Sequence, residues 1–242
     1  MRIKEKINLD MKGLVEHGPI TIVAFGDSVT HGAFNTGEID QDRVYHRVLS
    51  RKISAVRAYM PVNVINAGIG GITAKGSLDR MDAHVLSHNP DLVIVCFGLN
   101  DVNGSLEDYR ESLRTIFSRT LERGIETVLL TPNMLNTYVR DDIPESLVNY
   151  AGVTARAQNS GKMDTYIEAA REVAREMGVK IADAYAEWKR LAECEDTTAL
   201  LANGINHPTR EMHELFADVI FREIFDEESV AVENDSTMYR GK

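Results

Sequence analysis

Cysteine, tryptophan and proline are scarce in this chain of 242 residues, at two, one and six, and basic residues are outnumbered by acidic ones. Two cysteines cannot build a disulfide framework, and with no histidine pair near them they do not read as a structural zinc site. Cys96 lies inside the apolar run Leu92 to Phe97, where it reads as a small buried hydrophobe rather than a partner for Cys194. The 27 Lys and Arg against 37 Asp and Glu leave a net charge of −10, which argues against nucleic acid and anionic membranes as partners. No stretch approaches the roughly 20 apolar residues that span a bilayer. The first ten residues alternate charged and apolar side chains and lack the continuous apolar core of a secretory signal. The expectation is a soluble cytoplasmic chain with no membrane anchor.

What the chain does have is apolar content. Hydrophobic residues make up 43% of the sequence, enough over this length to bury one large core. A single domain is expected over residues 1–225, followed by an acidic, aperiodic tail at 226–242. Five short β-branched runs stand out: Ile20 to Phe25, Val62 to Ile65, Leu92 to Phe97, Thr127 to Leu130 and Val179 to Ala182. Segments of helical period separate them, a pattern that predicts a parallel sheet covered on both faces. Between Ser105 and Gly124 the apolar residues Leu106, Tyr109, Leu113, Ile116, Phe117 and Leu121 form one helical stripe. A second helix is predicted from about Thr209 through Met212, Leu215, Phe216, Val219, Ile220 and Ile224. His46, His84, His88 and His213 fall in helical segments and read as solvated side chains. Residues 132–162, with Pro144, Gly152 and Gly161, break the alternation and read as a lid or specificity insertion.

Ligands of open parallel sheets bind beyond the carboxyl ends of the strands. Gly26-Asp27-Ser28 closes the first apolar run there, where a serine at a strand-to-helix turn is exposed beside free N–H groups that can stabilise an oxyanion. Such a tripeptide is also an ordinary turn. A serine nucleophile needs a base, and His207, in the loop Asn203-Gly204-Ile205-Asn206-His207-Pro208 before the last helix, is the best placed of seven histidines. A helix start there disfavours the imidazolium and keeps the ring neutral. His207 reads equally as a residue that merely caps that helix. Gly71, through its N–H, and Asn100, through its amide, are candidate oxyanion donors beside the N–H of Ser28. Gly68-Ile69-Gly70-Gly71 lacks the Gly-Lys-Ser/Thr ending of a phosphate loop.

Phe25-Gly26-Asp27-Ser28-Val29-Thr30-His31-Gly32, Asn66 to Gly71, Gly98-Leu99-Asn100-Asp101 and Gly204 to Pro208 together resemble the four ordered blocks of the SGNH hydrolases, also called GDSL esterases and lipases. The resemblance spans nearly the whole folded chain. It implies a flavodoxin-like three-layer α/β/α sandwich with a central, mainly five-stranded parallel sheet. It also implies a serine esterase without metal or cofactor, acting on a small-molecule ester. Carried over residue by residue, it makes Ser28 the nucleophile, Gly71 and Asn100 oxyanion donors, and His207 the base and then acid. Asp27 and Asp101 are expected to make structural hydrogen bonds within their turns.

The family usually carries an aspartate three residues before its histidine; here that position is Gly204. Three arrangements can replace it: a backbone carbonyl or the Asn203 side chain orienting His207 as a dyad, which is preferred; Asp196 or Glu195 entering from farther away; or deamidation of Asn203-Gly204. Acetyl groups on a carbohydrate or similar small ester are the favoured substrates, with Met134, Leu135 and Tyr138 as candidate pocket residues. The alternatives are a lysophospholipase or thioesterase, or a non-catalytic binding protein on the same fold. Exposed helix faces are compatible with a homo-oligomer.

Overall fold

The computed structural model describes residues 1–225; the expected tail lies outside the described residues. Five parallel strands, β1 (Ile20–Gly26), β2 (Val62–Gly68), β3 (Leu92–Cys96), β4 (Glu126–Leu130) and β5 (Lys180–Ala182), form one sheet in the order β2-β1-β3-β4-β5. This is the flavodoxin-like order, with its reversal between β1 and β3. The helices are α1 (Ile3–Lys6), α2 (Met11–His17), α3 (Ser28–His31), α4 (Tyr45–Val56) and α5 (Met81–His84). They continue with α6 (Leu106–Leu121), α7 (Glu145–Asn159), α8 (Lys162–Glu176), α9 (Ala184–Leu191) and α10 (Arg210–Phe225). Helix α4, which connects β1 to β2, packs with α10, which follows β5, while α6 and α8, which lie between β3 and β4 and between β4 and β5, pack together on the other face. Every residue of β3 is buried, as the centre of a doubly covered sheet requires. No helix among the described residues is long and apolar enough to cross a membrane.

The β2 run extends three residues beyond Ile65, because Asn66, Ala67 and Gly68 pair in register with Ala24, Phe25 and Gly26 of β1. At its end the chain passes so close to α3 that a Cβ on Gly68 would lie 2.3 Å from the His31 nitrogen. Arg80 laces the two strand ends together: its guanidinium donates to the carbonyls of Ala67 and Gly26 and covers the Phe25 ring at 4.6 Å. Cys96 is buried and both cysteines are free.

Two helical histidines are not solvated. His46 and His213 are fully buried, and burial pushes their pKa values down to about 4 and about 3, so both rings are neutral. His46 shares a stripe with Leu49 and Ile53, and His213 one with Phe216, Ala217, Ile220 and Ile224. Within residues 132–162 the chain runs irregularly to Pro144 and then forms α7. The Leu135 N–H bonds the Gln158 side chain within this segment, and the Asn136 N–H bonds the Ile205 carbonyl, tying the segment to the loop that carries His207.

Candidate active site

Ser28 is the first residue of α3, directly after β1, and Asp27 caps that helix by accepting the Val29 N–H at 3.0 Å. Three further segments meet it at the carboxyl edge of the sheet. A Cβ on Gly70 would lie 3.9 Å from the Ser28 Cβ, which sets the Gly70-Gly71 turn against the serine. Gly71 has φ +76°, a left-handed conformation that favours glycine, and among the described residues neither its N–H nor that of Ser28 is used in a turn or loop hydrogen bond. Asn100 follows β3, and its amide donates to the Ile72 carbonyl at 3.0 Å and toward Asp27 at 3.4 Å. The Asn100 amide is therefore beside the serine turn but engaged with the glycine loop.

His207 lies across from these segments. Its Nε2 is 3.0 Å from the Ser28 Oγ, and its Nδ1 is 3.0 Å from the main-chain carbonyl of Phe34. A carbonyl only accepts, so Nδ1 carries the proton and Nε2 presents its lone pair to the serine hydroxyl. Burial lowers the affinity of the ring for a second proton, and the Phe34 hydrogen bond opposes that shift in part. Burial is the largest cause of that downward shift, and α10 begins three residues after His207, at Arg210.

The side chains considered as orienting groups for His207 lie elsewhere. Asn203 Oδ1 accepts the N–H groups of Ile205, Asn206 and His207 at 2.9–3.0 Å, and its Nδ2 donates to the Asn206 side chain. It shapes the loop and does not bond the ring. Asp196 accepts from the Tyr138 hydroxyl at 2.6 Å and from the Thr198 N–H, so its carboxylate is placed on Tyr138 and its own turn rather than on the His207 ring. Glu195 opens on a cleft between α9 and α10 with Leu191, Leu215 and Phe221. The Gly204 N–H, which would have to attack Asn203 in a deamidation, is bonded to the Leu201 carbonyl.

Asp27 and Asp101 reach beyond their own turns. Asp101 accepts the N–H groups of Ala74 and Gly98 at 2.9 and 3.1 Å, joining the glycine loop after β2 to the turn after β3. Burial, opposed by the Val29 N–H and reinforced by the Asp101 carboxyl, pushes Asp27 up to about 7; burial raises Asp101 to about 6. A partly protonated Asp27 places less negative charge beside a site where an oxyanion would form. Phe34 and Arg80 were not singled out from the sequence. Phe34 acts through a main-chain atom that no residue type announces, and Arg80 has no motif around it.

A family model for the GDSL-like lipase/acylhydrolase family matches residues 24–215. An acetylxylan esterase of Geobacillus stearothermophilus is 24% identical over 229 residues, covering 84% of this chain and 93% of the relative. An uncharacterized lipoprotein of Bacillus subtilis, YqeF, is 26% identical over 205 residues, covering 78% and 80%. Among solved structures, a lipase/acylhydrolase from Enterococcus faecalis superimposes with a TM-score of 0.65 at 26% identity, over 85% of this chain and 95% of that one. The acetylxylan esterase structure gives 0.67 at 23%, over 85% and 94%, a likeness of fold. With four-fifths of its length inside the match and its four blocks brought to one sheet edge, the chain belongs to the GDSL-like lipase/acylhydrolase family, a family of ester hydrolases.

Proposed function

We propose that the chain is a serine esterase that cleaves carboxylic esters through an acyl-Ser28 intermediate. The 3.0 Å contact between His207 Nε2 and the Ser28 hydroxyl supports this reading most directly. His207 takes the Ser28 proton as Oγ attacks the ester carbonyl, and the N–H groups of Ser28 and Gly71 receive the negative charge that develops on the carbonyl oxygen. Asn100 joins them by turning its amide from the Ile72 carbonyl. The imidazolium then protonates the departing alcohol. Water, deprotonated by His207 in the same way, releases the acid and restores the serine. The Phe34 carbonyl orients the ring throughout, in the place where a triad has a carboxylate, so the unit is a dyad.

Small acyl groups, acetyl above all, on a carbohydrate or similar small alcohol are the proposed substrates, a reading supported by the similarity to a protein named acetylxylan esterase. Residues 132–162 are the proposed specificity segment. The test is labelling with a serine-directed fluorophosphonate, location of the adduct by mass spectrometry, and comparison of acetyl with octanoyl esters. An adduct on Ser28 and faster acetyl turnover are expected. A folded sample with neither label nor turnover would identify a non-catalytic binding protein, and faster octanoyl turnover a lipid-directed hydrolase.

A further inference from the structure

The carbonyl that holds His207 belongs to a loop, and the loop is braced by one arginine. After α3 the chain turns at Gly32 and folds on itself: the Asp40 N–H bonds the Gly32 carbonyl at 2.8 Å, the Phe34 N–H bonds the Glu38 carbonyl at 3.0 Å, and Ala33 bridges Ile39. Arg210, the first residue of α10 and three residues after His207, reaches this fold with both ends of its guanidinium. Its Nε donates to Asp40 at 2.9 Å and its Nη2 to Glu38. The same guanidinium covers the Phe34 ring at 4.6 Å, and one turn along α10 the His213 ring lies 4.8 Å from the Phe34 ring, tilted to it by 51°. Phe34 is fully buried, in contact with both of these groups of α10, while its carbonyl faces His207.

We propose that Arg210 is a positioning residue for the dyad: by bracketing Glu38, Asp40 and the Phe34 ring, it holds the Phe34 carbonyl on His207 Nδ1 and so fixes the tautomer that leaves Nε2 free to accept the Ser28 proton. This rests on the dyad reading above. Partly exposed ion pairs contribute little to stability, and the side chains here are between one-fifth and one-half exposed. Their value lies in geometry. In a triad the acceptor is a carboxylate anchored beside the histidine; here it is a peptide oxygen on a separate loop, whose position depends on what ties that loop to the block carrying His207. Arg210 makes that tie from two residues beyond that block, at the start of α10. Its planar fork engages two carboxylates and an aromatic face at once, which a lysine cannot reproduce.

The test compares Arg210→Gln, Arg210→Lys and the double variant Glu38→Gln/Asp40→Asn, the last removing the bracket from the other side should Arg210→Gln fail to fold. Ester turnover and the 15N spectrum of the His207 ring in the intact chain are the readouts. Arg210→Gln and the double variant should lower kcat about 10- to 100-fold with KM within twofold, the signature of misplaced reacting groups. The acid limb of the kcat/KM profile should move to lower pH, since loosening the Phe34 hydrogen bond removes an interaction that favours the protonated ring. The ring should lose its pure Nδ1–H tautomer. Arg210→Lys should recover part of the kcat. General damage to the fold would lower the active fraction without moving the limb. Unchanged kcat, limb and tautomer in both Arg210→Gln and the double variant overturn the proposal. Turnover that survives Ser28→Ala or His207→Ala overturns the dyad instead, and the tautomer spectrum then decides the bracket alone: a mixed population in Arg210→Gln sustains it and an unchanged one removes it.

Discussion

Replacing Asn203 separates a residue that shapes the histidine loop from one that acts on the ring. Asn203 Oδ1 gathers three consecutive-region N–H groups, those of Ile205, Asn206 and His207, each within 3.0 Å. A net worth of roughly 1 kcal/mol per hydrogen bond, reduced because three donors share one oxygen and Asn203 itself is only partly buried, puts the cost of Asn203→Ala at about 2 kcal/mol. In a domain of this size that is a fall in Tm of about 4–8 °C. Turnover should drop about tenfold or more, because the main chain of His207 loses its template. Asn203→Asp keeps the acceptor oxygen and loses the amide that donates to Asn206 Oδ1 at 3.0 Å, so it should cost about 1 kcal/mol. Its kcat should stay within about tenfold of the parent, since Nδ1 keeps its proton and goes on donating it to the Phe34 carbonyl. Thermal melts, urea titrations and ester turnover on the three proteins check this. A tenfold rise in kcat for Asn203→Asp would refute the reasoning, because it would mean that the ring had recruited the new carboxylate. So would loss of turnover in Asn203→Ala with an unchanged melting temperature.

Three further outcomes follow from the same geometry. Asp196→Ala should leave turnover of a small acetyl ester within about threefold, because its carboxylate holds Tyr138 and not His207; a loss of several orders of magnitude would restore it as the orienting acid. Activity should persist below pH 6.5, the ordinary histidine value, and fall only at lower pH, since the base works neutral and burial lowers its proton affinity. A kcat/KM profile with its acid limb at or above 6.5 would give the base's role to another group. Gly68→Ala should destabilise the fold by about 1–3 kcal/mol in urea, as a Cβ there meets the main chain of His31 at 2.3 Å and the neighbour cannot swing away; a neutral effect would mean that α3 and β2 pack more loosely than described.

The sheet was legible because its strands are β-branched runs with nowhere to go but the interior, and all five run parallel. Where reading from residues alone fell short, tertiary contacts decide. Asn66-Ala67-Gly68 looks like a turn and is strand, because β1 supplies its partners. His46 and His213 look polar and are core, although the three-, four- and seven-residue spacings to Leu49, Ile53, Phe216 and Ala217 already placed them on the buried stripes. Ser28, Gly71, Asn100 and His207 were nameable because each block carries its own side-chain or glycine signature, and the fold gathers their segments at one sheet edge. The acceptor for His207 Nδ1 had no such signature. The preference for a backbone carbonyl or Asn203 narrowed the choice to main chain or amide, but no pattern in Ala33-Phe34-Asn35 points to a histidine 173 residues away.

That peptide oxygen has a consequence for how this chain tolerates change. A triad carboxylate can be erased by one codon; a main-chain carbonyl is present whatever residue is encoded at position 34. Scanning the chain one substitution at a time will therefore pass over the acceptor itself, and register the loop only through its bracing side chains. Length is the vulnerable variable. Inserting or deleting a single residue between Gly32 and Asp40, a span closed by the Gly32–Asp40 and Phe34–Glu38 hydrogen bonds, would swing the carbonyl away from the ring while leaving every recognisable block intact. Among relatives that share this device, the residue count of that span is the trait to compare, rather than the identity of any residue within it.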